Sequence, residues 1–439
     1  MNNTMTEVLE FIQENDVKFI RLAFCDIFGT QKNISIMPQE LPRAFKYGIS
    51  FDASAISGFM NVEASDLFLV PDPVTLSILP WRPSNGRVVR FFCDIKHPDG
   101  APFEGDGRNI LRKTIREAEA LGYSCKIGSE CEFYLFRLDE KGMPTLVPYD
   151  FAGYCDIAPM DKGENVRREI CLTLEEMGIR PESSHHEQGP GQNEVDFKYS
   201  DALSAADNLV TFKSVVKTVA ARNGLHASFM PKPLARNSGS GLHINISLFK
   251  NGLNIFNNHN KEHGEVPEEF TAGVMSRIPE MTVFLNPLVN SYVRFGEHKA
   301  PKYITWSNQN RSQLIRIPAA EDEYCRIELR SPDPSCNPYL AFALVIQAGL
   351  EGIKKQMPLA PAFDANLYEA EKDKIHGLDL IPENLGAAIK IARKSPFIQR
   401  VLPQKTIDKF LSSKLSEWNR YSQEENKEQL EREMYFVKV

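Results

Sequence analysis

The segment from Ser124 to Leu138 constrains the fold of this chain most, because apolar and polar residues alternate along it. In a β-strand, successive side chains point to opposite faces, so residues two apart share a face. Cys131 and Phe133 therefore lie on one face, while Glu130 and Glu132 lie on the other. Two carboxylates side by side repel each other unless a cation lies between them. The segment thus predicts a strand whose acidic face either meets solvent or forms part of a cation-binding site.

A stretch rich in glycine, proline and aspartate, residues 97–108, separates two regions with different patterns. Upstream, short strand-like runs and two helical patterns predict a small mixed domain at residues 1–101. Downstream, helical stripes alternate with strand-like runs, which predicts a larger domain at residues 102–439. A chain of 439 residues is long enough for two domains, and the overall class is α+β.

Charge and cysteine usage narrow the range of partners and compartments. The formal net charge of -7 comes without a basic run, which argues against nucleic acid as a partner. No apolar run is long enough to cross a bilayer, and the first residues lack the basic and apolar regions of a signal peptide. The eight cysteines include no C-x-x-C pair, which argues against zinc and favours reduced thiols. We therefore expect a cytoplasmic protein without a membrane partner.

Later strands carry polar residues on one face in the same way. A predicted hairpin has an acid on each arm, Glu187 and Glu194. The other two strands present these polar residues: His243, Asn245 and Ser247 on the first; Arg326, Glu328 and Arg330 on the second. If the four faces converge, five carboxylates and one imidazole would suit Mg²⁺ or Mn²⁺ and could hold two such ions.

The arginines beside these acids suggest an anionic substrate. A guanidinium binds phosphate or carboxylate through two hydrogen bonds, so divalent metals with arginines indicate phosphoryl transfer from a nucleotide. The chain has no G-x-x-x-x-G-K-[ST] motif, so a P-loop does not hold that nucleotide. His185 and His186 could be ligands, but we interpret them as residues that flank Glu187. Arg311, Arg316, Tyr154 and Asp52 indicate no function by themselves.

Taken together, these motifs resemble type I glutamine synthetase over nearly the full length of the chain. The motifs are E-C-E-F, H-H-E-Q-G-P-G-Q-N-E-V-D-F, M-P-K-P-L-A-R-N-S-G-S-G-L-H-I-N, N-Q-N-R-S-Q-L-I-R-I-P and R-I-E-L-R-S-P-D-P-S-C-N-P-Y-L-A. The resemblance implies an N-terminal β-grasp-like domain and a C-terminal catalytic domain built on a curved antiparallel sheet. It also implies a homo-oligomer, a dodecamer of two hexameric rings with active sites between subunits.

The resemblance further implies a role for each matching residue. Two or three divalent ions, Mg²⁺ or Mn²⁺, would be held by Glu132, Glu187 and Glu194 and by Glu130, His243 and Glu328. Glutamate, or its phosphorylated form, would be bound by Arg294, Arg311 and Arg330 and by the segment with Ser238 and Gly239. ATP would meet Arg316, Arg326, Asn245 and Ser247. Ammonium would be bound and deprotonated by Asp52 of an adjacent subunit with Tyr154 and Glu187.

The implied reaction has two steps. The γ-carboxylate of glutamate attacks the γ-phosphate of ATP and gives γ-glutamyl phosphate and ADP. Ammonia then displaces phosphate and gives glutamine. The residue types fit this chemistry, because metals and arginines neutralise phosphoryl oxygens while an acid turns ammonium into a nucleophile.

The sequence departs from the family near the amine and glutamate sites. The usual D-G-S-S-I is D-A-S-A-I here, and Ser238 replaces a glutamate-binding asparagine. The flap ends G-E-H-K-A-P where the family usually has E-A-P, so Lys299 replaces the acid that helps accept the ammonium proton. Charges near 4 Å interact by roughly 1–4 kcal/mol. Lys299 should therefore weaken ammonium binding unless Glu297 takes over or the flap moves Lys299 into solvent.

Three functions remain open from the sequence. The first is glutamate–ammonia ligase, because every metal and phosphate position of the family is present. The second is a γ-glutamyl-amine ligase for a monoamine or polyamine, since smaller site residues and a lost flap acid would accompany such a change. The third is an inactive structural or regulatory relative, which predicts lost metal ligands. Ammonium and amines compared as acceptors distinguish the first two, and binding of Mg²⁺-ATP distinguishes the third.

Overall fold

The computed structural model describes residues 4–82, 85–257 and 265–439. In the N-terminal part, a mixed sheet has the strand order β2-β1-β6-β4-β3, and β5 pairs with β6. Its strands are β1 Val17–Cys25, β2 Gln31–Ile36, β3 Ile49–Asp52, β4 Asp66–Pro71, β5 Ser77–Ile78 and β6 Arg87–Lys96. Strands β1 and β6 run parallel at the centre, where Ile20 and Val89 are fully buried. The boundary predicted at residue 101 falls between this sheet and the first helix after it.

The helices are distributed over the whole chain. They are α1 Met5–Glu14, α2 Leu41–Tyr47, α3 Gly107–Ala120, α4 Glu164–Glu176, α5 Ala202–Arg222, α6 Val266–Leu285, α7 Pro338–Lys355, α8 Lys372–Ile375, α9 Leu385–Arg393, α10 Pro396–Val401, α11 Gln404–Gln423 and α12 Lys427–Glu431. The sequence predicts a buried helix over Pro338–Lys355, and α7 has those bounds. Its residues from Pro338 to Gly352 are buried on all sides of the helix, as expected for one that is apolar all round.

The second sheet is organised around the predicted strand. Its order is β14-β15-β16-β12-β7-β10-β9, with β8 and β11 on β7 and β13 on β12. These strands are β7 Ser124–Leu138, β8 Pro144–Pro148, β9 Pro181–His186, β10 Gln192–Asp201, β11 Leu225–Ser228, β12 Leu242–Lys250, β13 Leu253–Asn254, β14 Trp306–Asn308, β15 Ile315–Ile317 and β16 Ile327–Leu329. The expected α+β class and curved sheet are confirmed, although β14 and β15 pair in parallel.

Strand β7 buries its apolar face against helix α5. Cys131 and Phe133 are fully buried, and the Phe133 ring lies 6.1 Å from the Phe212 ring, centre to centre. The acidic face is left on the other side of the sheet, where antiparallel neighbours place their own polar residues opposite it. Glu132 is opposite Glu194, and Glu130 is opposite His243. The alternation therefore positions the candidate site.

Two predicted elements differ from the structure. The sequence predicts a helix from Pro38 to Tyr47, whereas the structure has a 3₁₀ turn, Pro38–Glu40, followed by α2. The sequence also predicts a strand from Tyr324 to Arg330. The observed strand is limited to Ile327–Leu329, because a 3₁₀ turn occupies Asp322–Tyr324 and only the last part pairs with β12. Both differences concern short segments whose ends depend on their neighbours.

In the part of the chain that the structure covers, every helix is too short or too polar to cross a membrane.

Buried polar contacts join the two domains. Arg108 at the start of α3 pairs with Asp72 and Asp94 of the N-terminal part and with Asp207 of α5, at N–O distances of 3.0, 2.9 and 2.8 Å. Asn337 caps α7 by accepting from the Tyr339 amide at 3.0 Å, and its Nδ2 donates to the Ile27 carbonyl at 3.1 Å.

Replacing Asn337 by alanine is expected to lower the free energy of unfolding by about 2 kcal/mol, since it removes a helix cap and leaves a buried carbonyl without its donor. Urea titration followed by intrinsic fluorescence measures this. Asn384→Ala is the control, because Asn384 caps α9 through the Ala387 amide without bonding the N-terminal part. Its cost should be about 1 kcal/mol. Equal costs for both variants would contradict a role of Asn337 at the domain junction.

Candidate active site

A cavity of about 590 Å³ opens over the acidic face of β7. Its walls include most residues expected at the site: Glu130, Glu132, Tyr154, Glu187, Glu194, Ser238, Gly239, His243, Arg294, Lys299, Arg311, Arg316, Arg326 and Arg330. Glu328 is fully buried behind this wall. Asn245 and Ser247 line an adjoining cavity of about 300 Å³. Asp52 and Glu297 lie outside both linings.

Glu130, His243 and Glu328 form a group whose possible ligand atoms lie within 4.8 Å of one another. His243 Nδ1 is 3.0 Å from Glu130 Oε2 and 3.7 Å from Glu328 Oε1. Burial acts to raise the pKa of Glu130, but the contact with His243 outweighs it and holds the pKa well below its usual range. Burial also acts to raise the pKa of Glu328, but the charge of Arg330 opposes it and the pKa is lowered. Both carboxylates are therefore ionised at neutral pH.

Glu132 and Glu194 form a second group with His243. Burial raises the pKa of Glu194 well above its usual value, and the neighbouring Asp196 and Glu132 raise it further. Burial also raises the pKa of Glu132. A divalent cation would relieve this crowding, and oxygen donors with a single imidazole fit Mg²⁺ or Mn²⁺. The residues present thus suit the metals that the sequence indicates.

Glu187 extends the acidic groups towards the cavity mouth, in contact with His185. His185 Nε2 lies 3.0 Å from Glu187 Oε1, and both residues group with Glu194 within 4.8 Å. Burial acts to raise the pKa of Glu187, but the hydrogen bond with His185 outweighs it and lowers the pKa. His185 lines the cavity beside Glu187, since residues two apart along the hairpin arm share a face. The interpretation that His185 flanks Glu187 stays a prediction.

His186, unlike His185, does not line the first cavity but supports the hairpin turn. It is fully buried, and its Nε2 lies 2.8 Å from Asp150 Oδ1, which also accepts from the Gly191 amide at 3.0 Å. Gly191 has φ of 70°, and a Cβ there would lie 2.7 Å from the Leu135 carbonyl oxygen. These contacts fix the turn between the two acidic hairpin arms.

Two arginines hold the buried Glu328 between them. Arg316 Nη1 is 2.5 Å from Glu328 Oε2, while Arg330 donates to Oε1. Their Nε atoms are buried and have no hydrogen-bond partner among the described residues. A guanidinium that binds one carboxylate retains further donors for an anion in the cavity. This arrangement suits the neutralisation of a phosphoryl group.

Among the described residues, main-chain oxygens and not an acid hold Arg294. Its Nη atoms donate to the carbonyls of Ser331 and Arg330, at 2.8 and 3.1 Å. Gly239 permits the close approach of this wall, because a Cβ there would lie 2.6 Å from the Pro231 carbonyl and 2.9 Å from Arg294 Cγ. Ser238 is held beside it, since its carbonyl accepts from the Tyr134 hydroxyl at 2.5 Å.

The adjoining cavity shares part of its wall with the first, because Glu130 and Arg326 line both. Asn245 Nδ2 donates to Glu130 Oε1 at 2.9 Å, and Arg326 Nε donates to Asn245 Oδ1 at the same distance. Ser247 Oγ donates to the Cys325 carbonyl at 2.9 Å. The site therefore has two ends that share a carboxylate.

Lys299 lies at the mouth of the first cavity. Its Nζ is 5.3 Å from the centre of the Tyr154 ring, and its charge contributes to the lowered pKa of Glu187. Glu297 does not line the cavity but pairs with Lys232, with Nζ and Oε2 3.0 Å apart. In this arrangement of the flap, Glu297 does not face the cavity, while Lys299 lines the cavity mouth with its side chain exposed.

Asp52 is exposed and binds within its own loop, where its Oδ1 accepts from the Ser54 amide at 2.9 Å. Its expected role in the site of an adjacent subunit stays a prediction.

Gln192 and Asp196 are among the cavity residues that the sequence did not single out. Gln192 Nε2 donates to Glu132 Oε2 at 3.0 Å, and Asp196 lies opposite Glu130 in the strand register. Burial and the charge of Glu130 raise the pKa of Asp196 to about 6. Both residues lie two positions from Glu194 along β10, so the alternation that identified Glu194 could have identified them as well.

Comparison with known families covers both domains. The family model "Glutamine synthetase, beta-Grasp domain" matches residues 16–98, and "Glutamine synthetase, catalytic domain" matches residues 104–435. A glutamine synthetase of Clostridium saccharobutylicum is 47% identical over 423 residues, 95% of this chain and 96% of the relative. One of Staphylococcus aureus (strain MW2) is 45% identical over 424 residues, 95% of each chain.

Solved structures with a similar fold also cover nearly the whole chain. A structure described as "GmaS/ADP complex-Conformation 1" has a TM-score of 0.87 at 30% identity and covers 98% of this chain and 99% of its own. A cryo-EM structure of Plasmodium falciparum glutamine synthetase has a TM-score of 0.85 at 26% identity and covers 96% of each chain. With both domains matched and high identity across nearly the whole length, the chain belongs to the glutamine synthetase family.

Proposed function

We propose that this protein is a glutamate–ammonia ligase, which uses ATP to join ammonia to the γ-carboxyl of L-glutamate and forms glutamine, ADP and phosphate. Relatives of that name share 45% to 47% identity over 95% of the chain. The observation that carries the proposal is the convergence of carboxylates, imidazoles and several arginines in one cavity. Such a site suits phosphoryl transfer, where positioning and charge neutralisation supply most of the catalysis.

The acidic groups are proposed to hold Mg²⁺ or Mn²⁺, two or three ions for each site. Their ligands would be Glu132, Glu187 and Glu194 on the substrate side and Glu130, His243 and Glu328 on the nucleotide side. The bound ions would neutralise phosphoryl oxygens and help orient them. Crowding of the acids supports this assignment, because burial and neighbouring charges raise the pKa of Glu194.

The arginines are proposed to bind the two anionic substrates. Arg294 and Arg311, with Ser238 and Gly239, would hold glutamate, while Arg316 and Arg326, with Asn245 and Ser247, would face ATP. In the first step an oxygen of the γ-carboxylate bonds to the γ-phosphorus, and the bond to the ADP oxygen breaks. Arg330 is proposed to neutralise the transferred group, since its buried Nε has no hydrogen-bond partner among the described residues.

The second step needs a deprotonated amine. Ammonium would lose a proton to Asp52 of an adjacent subunit, close to Tyr154 and Glu187. Ammonia nitrogen then bonds to the γ-carbon, and the bond to the phosphate oxygen breaks. A shared site requires a homo-oligomer, proposed here as a dodecamer of two hexameric rings in the cytoplasm. The exposure of Asp52 in its own chain supports this, and a monomer in mass photometry would contradict it.

A second acceptor class is favoured by one observation. Lys299 Nζ lies over Tyr154, where a cation repels ammonium. A γ-glutamyl-amine ligase for organic amines is therefore the alternative.

The test is ATP- and glutamate-dependent phosphate release with Mg²⁺, in which ammonium is compared with a panel of monoamines and diamines. We expect ammonium to give the highest kcat/KM and a product identified as glutamine by mass spectrometry. Turnover with an amine at more than about ten times the ammonium value, a difference of 1.4 kcal/mol, would instead assign the alternative. No turnover with any acceptor, together with no binding of Mg²⁺-ATP, would assign an inactive relative.

A further inference from the structure

Lys232 buries a positive charge beside the flap, defined here as residues 296–300. Its side chain is 1% exposed, whereas its partner Glu297 is 58% exposed, with Lys232 Nζ and Glu297 Oε2 3.0 Å apart. Within residues 4–82, 85–257 and 265–439, Glu297 is its only ion-pair partner. A buried ammonium group without a counter-charge is costly in free energy, so the ion pair with Glu297 stabilises the buried charge of Lys232.

The main chain at Lys232 is held on both sides. Asn290 Oδ1 accepts from the Lys232 amide at 2.7 Å, and Asn290 Nδ2 donates to the Lys232 carbonyl at 3.1 Å. The same Nδ2 donates to Glu431 Oε2 of the C-terminal helix α12 at 2.6 Å. The adjacent Pro231 carbonyl accepts from the Ser240 amide at 2.7 Å. The lysine is thus a fixed point next to the Ser238–Gly239 wall of the cavity.

The flap has little to hold it in place by itself. Its own main-chain bonds are local, from the Ala300 amide to the Glu297 carbonyl at 2.9 Å and from the Gly296 amide to the Ala300 carbonyl at 3.1 Å. His298 and Lys299 have φ of 45° and 67°, left-handed values that are unfavourable for residues other than glycine. Such a conformation persists only when surrounding contacts impose it.

We propose that Lys232 is a positioning residue that latches the flap through Glu297 and thereby holds Lys299 over Tyr154 at the cavity mouth. This inference rests on the proposed function, because the flap then covers γ-glutamyl phosphate before ammonia arrives. In an unlatched protein, water reaches the γ-carbon of that intermediate. Its oxygen bonds to the carbon, the bond to the phosphate oxygen breaks, and glutamate and phosphate form without glutamine.

The first readout is the ratio of phosphate released to glutamine formed. Glu297→Gln and Lys232→Met should each raise this ratio at least threefold, and the double variant should raise it no further, because both changes break one contact. Glu371→Gln is the control, since Glu371 is 80% exposed and its ion pair with Lys374 is long, at 3.9 Å. A purely structural role of Lys232 would lower total turnover and leave the ratio unchanged, which would overturn the proposal.

The second readout does not depend on catalysis. Hydrogen–deuterium exchange of the flap peptide should be at least tenfold faster in both single variants than in the wild type, with the β7 peptide unchanged. If the wild type makes no glutamine but the flap still exchanges faster in the variants, the proposed function fails and the latch stands. Wild-type exchange in Glu297→Gln, whose folding does not depend on filling a buried position, would overturn the latch itself.

Discussion

Replacing Glu328 by glutamine is expected to lower kcat for glutamine formation by roughly 10³-fold, the upper range for removal of one group that stabilises charge in an active site. Glu328 is fully buried, and Arg316 and Arg330 bind its two oxygens. The amide has no negative charge, so it removes a predicted metal ligand and leaves the paired guanidinium groups without a counter-charge. Steady-state kinetics and Mn²⁺ titration calorimetry measure the two consequences, and the variant should lose one metal-binding event.

Glu351→Gln provides a matched control for this variant. Glu351 is also a buried acid, 7% exposed, and two arginines bind it: Arg277 Nη2 to Oε1 at 2.8 Å and Arg400 Nη2 to Oε2 at 2.7 Å. It lies on α7, outside the cavity lining. Both variants should lose stability for the same reason, but only Glu328→Gln should lose turnover and metal binding in the folded protein. Similar losses of turnover in both would attribute the effect to folding and contradict the assigned role.

The convergence of the acidic residues could be predicted because it depends on strand periodicity. Once β7 is a strand, the faces of Glu130 and Glu132 follow, and an apolar opposite face determines which side meets the core. The register that places Glu194 and His243 opposite these acids also has to bury the apolar residues of β10 and β12. The same rule covers Gln192 and Asp196, which lie two positions from Glu194 on β10 and therefore share its face.

The flap could not be predicted in this way, because no periodicity governs a short turn. Its conformation depends on one long-range ion pair between Lys232 and Glu297, which are distant in the sequence. Left-handed φ values at His298 and Lys299 are equally invisible in a sequence, where glycine is the usual sign of such a turn. The direction in which Lys299 points is therefore a result of the tertiary structure alone.

Replacing Lys299 by glutamate is expected to lower the apparent KM for ammonium by about thirtyfold. Lys299 is exposed at the cavity mouth, so the interaction of its charge with ammonium is screened to about 1 kcal/mol at 4 Å. Reversal of the charge replaces repulsion by attraction, a change of about 2 kcal/mol, and each 1.4 kcal/mol is a factor of ten. Initial rates at varied ammonium and saturating ATP and glutamate measure this. The KM for glutamate should change much less.

A graded series separates charge from shape at this position. Lys299→Gln removes only the repulsion, so its KM for ammonium should fall by about half the logarithm of the glutamate effect, roughly fivefold. Lys302→Glu makes the same charge change on the exposed neighbour of the flap, outside the cavity lining, and should leave KM nearly unchanged. The differences between variants should shrink as ionic strength rises, because salt screens exposed charges.

If all three variants keep the wild-type KM, Lys299 does not act on the acceptor. If Lys299→Glu instead loses activity while Lys299→Gln keeps it, the lysine contacts an anionic substrate group, and ammonium repulsion is not its main effect.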